Sequence, residues 1–467
     1  MITPRASSSR YVLMSGGDFL VATIAAYMCF AIFSRLGYST GLEHELWDLA
    51  PKWEIAALVG LFFAILMYFT DFDALERKDV SRSVFAVLAS GAVSFSGTLI
   101  LVMLVSDALL AHRRFCVTSL TFITVCLILW RLALDLFVKS HVTCRVIILG
   151  NSQIGRILAR AIEERLYLGY RFLGFVCPEQ GGPAVGESPS LGQTSYFLNS
   201  IEALLTDSRP LTLVVDAAEG LPLGPEQLLR MRAMGVGVND CESFYELITG
   251  KLPVKELRQS WLVFAPGYVR GRWRVSAKRL IDIVAALVLL VLTLPIALIA
   301  AIVVKLDSPG PIFYQQDRLG IGGQVFRIFK FRSMRVDAET GNGAAWATVR
   351  DPRVTQVGRL MRLLRIDELP QLINVIKGDM SLVGPRPERP EIIARLIPTI
   401  PLYNHRHTMR PGITGWAQVC YQYGATVEDA REKLCYDLYY IKNWSLLLDL
   451  QIMLQTVKVV LYGRGAR

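Results

Sequence analysis

Residues 280–306 read LIDIVAALVLLVLTLPIALIAAIVVKL. This run is long enough to cross a bilayer, whose hydrocarbon core takes about 20 helical residues. Lys278 and Arg279 stand at its start and Pro295 in its middle. Proline lacks an amide donor and crowds the preceding turn, so a helix kinks or breaks there. Two readings compete. A full span would place everything after Leu306 outside the cell. A helix, break and helix over 279–306 would re-enter and return the rest of the chain to the cytoplasm. The downstream segment favours re-entry, because its arginines and turn motifs suit a nucleotide, and nucleotides are cytoplasmic. Broken backbone inside lipid needs partners, so neighbouring helices should cover Pro295.

Beyond this run, Gln316–Gly320 and Gly322–Phe326 read as a turn between short extended pieces. Phe329-Lys330-Phe331-Arg332-Ser333-Met334 follows. Lys330 and Arg332 lie two apart and would share one face of a strand, where they could clamp a diphosphate. Taken alone, a solvated edge strand guarded by lysine is the simpler reading. Gly358–Ile366 predicts a basic helix carrying Arg362 and Arg365 up to Asp367-Glu368. Leu369–Ile376 predicts another helix, stopped at Gly378. Gly384-Pro385-Arg386-Pro387-Glu388 and Arg410-Pro411-Gly412 are stiffened turns. They present Arg386 and Arg410 pre-organised for planar phosphate contacts. A carboxylate among such arginines suits a nucleophile for phosphoryl chemistry, because the cations would keep it ionised and bind the substrate's phosphate. The competing reading of Asp367-Glu368 is an exposed helix start whose acids answer the dipole.

Upstream, Arg145–Gly150 predicts a buried parallel strand. It runs into Gly150-Asn151-Ser152-Gln153-Ile154-Gly155 and a helix over Arg156–Arg165. Strand, glycine turn and helix are the context of a dinucleotide fingerprint. Here Ser152 replaces the second glycine, where backbone must approach a pyrophosphate. Leu211–Asp216, Gly224–Met234 and Val236–Asp240 continue the alternation as strand, helix and strand. The expectation is a Rossmann-like scaffold in which NAD binding is not retained.

Four apolar segments precede it: Tyr11–Phe33, Ile55–Phe69, Val84–Val105 and Phe115–Val138. The first is too long for a cleaved signal peptide and lacks a clean small-residue cleavage site. Arg5, Arg10, Arg77, Lys78, Arg82, Lys139 and Arg145 flank one side of the predicted spans. Arg35, Lys52, Arg113 and Arg114 flank the other. Positive residues favour the cytoplasm, so the N-terminus and everything after Val138 should face it.

Composition agrees with membrane segments. The chain of 467 residues is 52% hydrophobic and 19% charged, with mean hydropathy +0.39. The net charge of +10 admits anionic lipids and small anions as partners. No basic tract interleaved with aromatics points to nucleic acid. The eight cysteines form no C-x-x-C pair, which leaves a zinc site or disulfide framework without support. His405 and His407, two apart, read as non-metal residues.

Together, KFRSM (330–334), RIDELPQLINVIKGDMSLVGPRPE (365–388) and RPGITGWAQ (410–418) resemble the bacterial polyprenyl-phosphate sugar-1-phosphate transferases of the monotopic superfamily. Asp437-Leu438-Tyr439-Tyr440 and Asn443-Trp444-Ser445 match the tail. The motifs cover about the last 190 residues of the chain. The layout upstream is similar, more weakly, to the long exopolysaccharide-initiating members. The resemblance implies three parts: four membrane helices (1–140), a Rossmann-like domain (141–265) and a mainly α catalytic domain (266–467) anchored by a re-entrant helix at 279–306, broken at Pro295. Where many members have serine before that proline, this chain has Leu294. The resemblance also implies attack by Asp367 on the β-phosphate of a UDP-sugar, with glucose or galactose as the sugar. UMP would leave and polyprenyl (undecaprenyl) phosphate would accept the phosphosugar. Glu368 would assist, Mg2+ would bridge the diphosphate near Asp367, and Lys330, Arg362, Arg386 and Asp437 would line the site. The expected setting is the bacterial inner membrane, with the catalytic domain facing the cytoplasm and a homodimer as the assembly. From another class, a nucleotide-sensing membrane scaffold with a decayed site is the alternative, and the intact motifs speak against decay.

Overall fold

The computed structural model describes residues 6–35, 52–70, 113–141, 144–165, 169–177, 190–193, 210–216, 223–255, 267, 271–335, 353–421, 424 and 426–461. The chain divides into two compact units between Ile248 and Thr249.

The first unit opens with three helices: α1 (Ala6–Arg35), α2 (Lys52–Thr70) and α3 (Arg113–His141). They fall on the first, second and fourth predicted spans. The third, 84–105, lies outside the described residues. Ala22, Ala25 and Ala26 of α1 pack with Ala56 and Phe63 of α2 and with Leu120, Ile123 and Leu127 of α3. Small residues let helix backbones approach closely. Buried Asp18 accepts hydrogen bonds from Arg131 Nε, at 3.0 Å, and Nη2, so neither charge is left uncompensated. Apolar stretches run over Gly16–Cys29, Ala56–Ile65 and Val117–Ala133 of these helices.

The same unit contains a five-stranded sheet of order β3-β2-β1-β4-β5, with every pairing parallel. The strands are β1 (Cys144–Leu149), β2 (Tyr170–Cys177), β3 (Ser190–Gln193), β4 (Leu211–Val215) and β5 (Gly237–Asp240). Helices α4 (Gln153–Glu164), α5 (Pro225–Ala233) and α6 (Cys241–Thr249) alternate with them. Successive β1 side chains feed opposite faces. Val146 and Ile148 join Leu158, Ile162 and Phe244, while Ile147 and Leu149 join Leu213, Val215 and Met231. This is the doubly wound arrangement, with its switch point beside β1. At that point Gly150 takes φ +110° and the chain enters α4. Ser152 N–H donates to Asp216 Oδ2 at 3.0 Å. A Cβ on Gly155 would lie 2.9 Å from the same oxygen. A carboxylate from the end of β4 thus stands at the helix N-terminus where a dinucleotide fold would hold its pyrophosphate.

The second unit begins with α7 (Arg272–Asp307), the one helix among the described residues long and apolar enough to cross a membrane. The sequence predicts a break at Pro295, but the helix continues through it. Asp282, Ala286, Ala300 and Val304 are its buried positions, while Val291, Leu292, Leu298, Ile299 and Ile302 are exposed. Pro295 lies on the exposed side, so its ring displaces no packed neighbour. Both flanks are gripped by this unit. Arg279 donates to the carbonyls of Val375 and Ile376 at 2.6 and 2.9 Å, and Asp282 accepts from Ser381 Oγ at 2.7 Å. Past the proline, Arg332 donates to the carbonyls of Pro309 and Ser308 at 2.8 and 2.6 Å.

Most of the remaining elements share a core around Leu372, Val375, Met380, Trp416, Tyr436 and Tyr440, while Met361 and Ile366 pack with Phe331 against Ala300 and Val304 of α7 in a second cluster. In order the elements are the antiparallel hairpin β6 (Phe313–Leu319) and β7 (Val325–Phe331), α8 (Gln356–Leu363), a 3-10 turn (Ile366–Glu368), α9 (Gln371–Lys377) and β8 (Ser381–Val383). Then come α10 (Pro390–Leu396), a second 3-10 turn (Tyr403–Thr408), β9 (Gly412–Thr414), α11 (Trp416–Cys420), α12 (Val427–Asn443) and α13 (Leu446–Leu461). Strands β8 and β9 pair in parallel. They bring together the two proline turns that the sequence separates. Gly384 N–H donates to Thr414 O at 2.9 Å and Gly412 N–H to Pro385 O at 3.0 Å. A Cβ on Gly412 would sit 2.1 Å from Gly384 N, so the approach of these turns requires glycine.

Candidate active site

The site is assembled on the 3-10 turn Ile366–Glu368. Helix α8 starts at Thr355, whose Oγ1 accepts from Gly358 N–H at 2.9 Å, an N-cap bond. The predicted basic helix was to reach Ile366, yet α8 ends at Leu363. Arg365 follows in the left-handed region, φ +58°, a conformation uncommon for residues other than glycine. That reversal separates Asp367 and Glu368 from the helix. Both are buried, at 8% and 7% exposure. The alternative reading of an exposed helix start is therefore set aside.

Three cations converge on one oxygen. Arg386 Nη2 lies 2.8 Å, Lys330 Nζ 3.6 Å and Arg365 Nη1 3.7 Å from Glu368 Oε1. Each comes from a different segment, namely the turn after β8, strand β7 and the reversal after α8. Among the described residues, no hydrogen bond or ion pair reaches the Asp367 carboxylate. Burial alone would raise Glu368, but Arg386, Lys330 and Arg365 overcome it and hold that carboxyl well below the usual range. Asp367 goes the other way. Burial and the neighbouring Glu368 charge raise it, and Lys330, Arg362 and Arg365 offset this only in part. The sequence expectation was that adjacent arginines would depress Asp367. The correction has a geometric cause, since the cations bond to Glu368 and leave Asp367 beside a like charge.

Second contacts hold the cations in place. Asn374, fully buried on α9, accepts from Phe329 N–H at 3.0 Å and donates to Arg327 O at 2.8 Å. It thereby extends the pairing of β7 and sets the strand that carries Lys330 against the helix that follows Glu368. Arg362 Nε donates to Ser333 Oγ at 2.9 Å, which keeps Arg362 near enough to act electrostatically on Asp367. Arg406, 6% exposed, donates from Nη1 to Tyr403 Oη at 2.7 Å and from Nη2 to Asp437 Oδ2 at 2.8 Å and to Arg386 O at 2.9 Å. Burial raises Asp437 to about 6, against the opposing pull of Arg406.

The predicted site residues therefore divide. Lys330, Arg362, Asp367, Glu368 and Arg386 come together, and Asp437 joins through Arg406. Two do not. Arg332 lies one residue past the end of β7, and its guanidinium is taken up at the end of α7, with Nη2 on the Ser308 and Val304 carbonyls and Nη1 on Pro309 O. Arg410 Nε donates to Gly378 O at 3.1 Å, at the end of α9. Asn374 and Arg406 were not singled out from sequence, and Arg365 was read as a cation for Asp367 rather than a partner of Glu368. Arg406 sits between His405 and His407, which draw the eye first, and Asn374 lies in a run that reads only as apolar helix.

A model of the family described as bacterial sugar transferase matches residues 273–463. A UDP-glucose:undecaprenyl-phosphate glucose-1-phosphate transferase of Caulobacter vibrioides is 48% identical over 203 residues, 43% of this chain and 76% of that protein. The chain belongs to the bacterial sugar transferase family. The UDP-N-acetylgalactosamine-undecaprenyl-phosphate N-acetylgalactosaminephosphotransferase of Aeromonas hydrophila is 44% identical over 243 residues, 51% of this chain. The undecaprenyl-phosphate glucose phosphotransferase of Komagataeibacter xylinus is 34% identical over 327 residues, 69% of this chain. The matches span 56% and 60% of these last two relatives. The family match includes α7 from Trp273 onward and every residue of the cation cluster.

Proposed function

We propose that this chain transfers a sugar-1-phosphate from a UDP-sugar to undecaprenyl phosphate, releasing UMP, as the first membrane step of exopolysaccharide synthesis. One observation carries the reading: three cations from three segments meet at Glu368, directly beside an Asp367 carboxylate to which no described residue donates. Asp367 Oδ attacks the β-phosphorus of the donor, and the bond from that phosphorus to the bridging oxygen breaks. UMP leaves with the bonding electrons. The phosphosugar stays on Asp367 as an acyl phosphate. A phosphate oxygen of the polyprenyl carrier then attacks the same phosphorus and releases the aspartate. Arg386, Lys330 and Arg365 bind the donor's phosphate oxygens and stabilise the charge that grows on them. Glu368, kept ionised by these cations, holds them together where the carrier's phosphate is received.

Mg2+ fits this donor set. Asp367 would hold it with oxygens of the diphosphate, since Mg2+ commonly takes one or two carboxylates plus substrate phosphates. Among the described residues no cluster of three or more His, Cys, Asp or Glu offers an all-protein site. Bound there, the ion would supply charge neutralisation for the diphosphate.

The donor sugar we infer is glucose, because the relative named for glucose in Komagataeibacter matches 69% of this chain. The exposed apolar face of α7 faces lipid in this reading. The unbroken helix supplies no return at Pro295, and the grip of one unit on both its flanks supports both flanks lying on one side of the membrane, with the site at the cytoplasmic face of the inner membrane. A screen for UMP release over UDP-glucose, UDP-galactose and UDP-N-acetylgalactosamine, with undecaprenyl phosphate in detergent, tests the proposal. No UMP from any donor would overturn it and leave the nucleotide-sensing scaffold. Release from UDP-N-acetylgalactosamine alone would overturn the sugar assignment.

A further inference from the structure

We infer that Arg406 is a positioning residue for the reaction, acting through Arg386. The inference rests on the proposed transfer for its effect on turnover, but its structural basis is independent of it.

Arg386 reaches Glu368 from a turn whose flanks are anchored, Pro385 O by Gly412 N–H at 3.0 Å and Pro387 O by Arg318 Nη1 at 3.3 Å. Pro385 and Pro387 have no amide to donate, so these contacts fall on the turn's carbonyls. The Arg386 carbonyl is held by Arg406 Nη2 at 2.9 Å. The same nitrogen meets Asp437 Oδ2 at 2.8 Å, and Nη1 meets Tyr403 Oη at 2.7 Å. These contacts tie three elements to one guanidinium: the turn after β8, the 3-10 turn Tyr403–Thr408 and helix α12. The Arg406 and Asp437 side chains are 7% and 3% exposed, so the pair is shielded from water and salt. A buried pair of this kind needs its geometry satisfied on all sides. Arg406 satisfies it by spending one hydrogen bond on the turn that carries Arg386. A planar fork makes these contacts together, whereas a lysine ammonium is a single point on a flexible stem.

Arg406 stands one step back from the chemistry. It touches neither Asp367 nor Glu368. Its role is to fix where the Arg386 guanidinium starts from, and hence whether it lies on Glu368 Oε1 or swings away. Functional groups are held by such outer contacts, and a shift of about 1 Å is enough to cost turnover.

The test is a cycle of Arg406→Lys and Arg386→Ala, made singly and together in the full chain in detergent. Two readouts are taken. By amide hydrogen exchange, Arg406→Lys speeds exchange of the segment 384–388, while the β6–β7 hairpin keeps its protection. By UMP release, Arg406→Lys lowers kcat/KM about 10-fold in the Arg386 background, mainly through kcat, and less than about 2-fold in the Arg386→Ala background. Equal losses in both backgrounds mark a general structural role and overturn the inference. Unchanged exchange at 384–388 overturns it as well. Should Arg406→Lys not accumulate as folded protein, Asp437→Asn takes its place in the same cycle with the same expected outcomes. If the wild type releases no UMP from any UDP-sugar, the transfer reading fails, and the exchange result still decides whether Arg406 holds the turn.

Discussion

Two turns in this molecule bring a carboxylate to a place built for phosphate, and they resolve it in opposite ways. At the switch point of the parallel sheet, Asp216 Oδ2 accepts the Ser152 amide at 3.0 Å, so the chain's own acid occupies the helix N-terminus. At the 3-10 turn of the second unit, Lys330, Arg365 and Arg386 gather on Glu368, and the acid beside it accepts nothing from the described residues. The first turn is closed by its own carboxylate. The second keeps one carboxylate as the anchor for cations and leaves its neighbour available for chemistry. A glycine turn or a cluster of arginines therefore does not identify a phosphate site until its internal anions have been counted.

The strongest way to break this contrast is Asp367→Asn. The amide cannot serve as nucleophile, and UMP release should fall by about 10⁴-fold or more, the scale seen when a covalent nucleophile is removed. Full activity in a discontinuous UMP assay would end the assignment. Glu368→Gln comes next. It removes the anion that three cations share, so their positions relax, and turnover should drop by about 10²-fold. Intact-protein mass measurement should then show phosphosugar retained on the chain, because the cations that receive the carrier's phosphate are no longer held together. A variant as active as wild type would show that Glu368 anchors nothing the reaction needs.

A third test concerns pH and has a definite sign. Asp367 must be ionised to attack, and burial together with the Glu368 charge raises its pKa. The acid limb of kcat/KM should therefore lie above the ordinary aspartate range. In Glu368→Gln the like charge is gone while the cations, though no longer held by it, keep their charge near Asp367, so the Asp367 carboxylate becomes easier to ionise and the limb moves to lower pH. A limb that moves up, or stays put, would mean that Glu368 does not set the titration of its neighbour.

How much of this was legible in the sequence depends on the range of the interaction. The continuous apolar runs within 145–150 and 211–216 were enough to predict parallel strands, because burial on both faces leaves a local mark, while 236–240 followed from the alternation of strand and helix. The pair Asp367-Glu368 and Arg386 could also be singled out from their neighbours. Which of the two acids takes the cations could not, since that follows from the Arg365 reversal and from β7 arriving across the turn. Arg332 and Lys330 look equivalent by spacing, but the strand ends at Phe331 and the Arg332 guanidinium is taken up at the end of α7. Arg386 and Arg410 sit in similar proline turns. Only the β8–β9 pairing and the position of Gly378 send one to Glu368 and the other to a helix end. Pro295 marks a helix break by rule, yet the helix continues through it.

The smallest expected effect completes the contrast from the closed side. Asp216→Asn preserves shape but removes the charge that faces the α4 N-terminus, and it can still accept the Ser152 amide. Asp216→Ala removes the acceptor altogether, leaving a buried N–H without its partner, which costs about 1–3 kcal/mol. The Asn variant should therefore lose little, and the Ala variant should lower the unfolding temperature measurably. UMP release per folded molecule should match wild type in both, because Asp216 belongs to the scaffold and lies outside the catalytic unit. Wild type should gain no thermal stability from NAD or NADP, since a bound pyrophosphate would have to displace a like-charged carboxylate from the same amide. Stabilisation of wild type by either dinucleotide would mean that Asp216 yields its place on demand. The sheet's turn would then be a binding site with a built-in competitor, and the two turns would differ in degree rather than in kind.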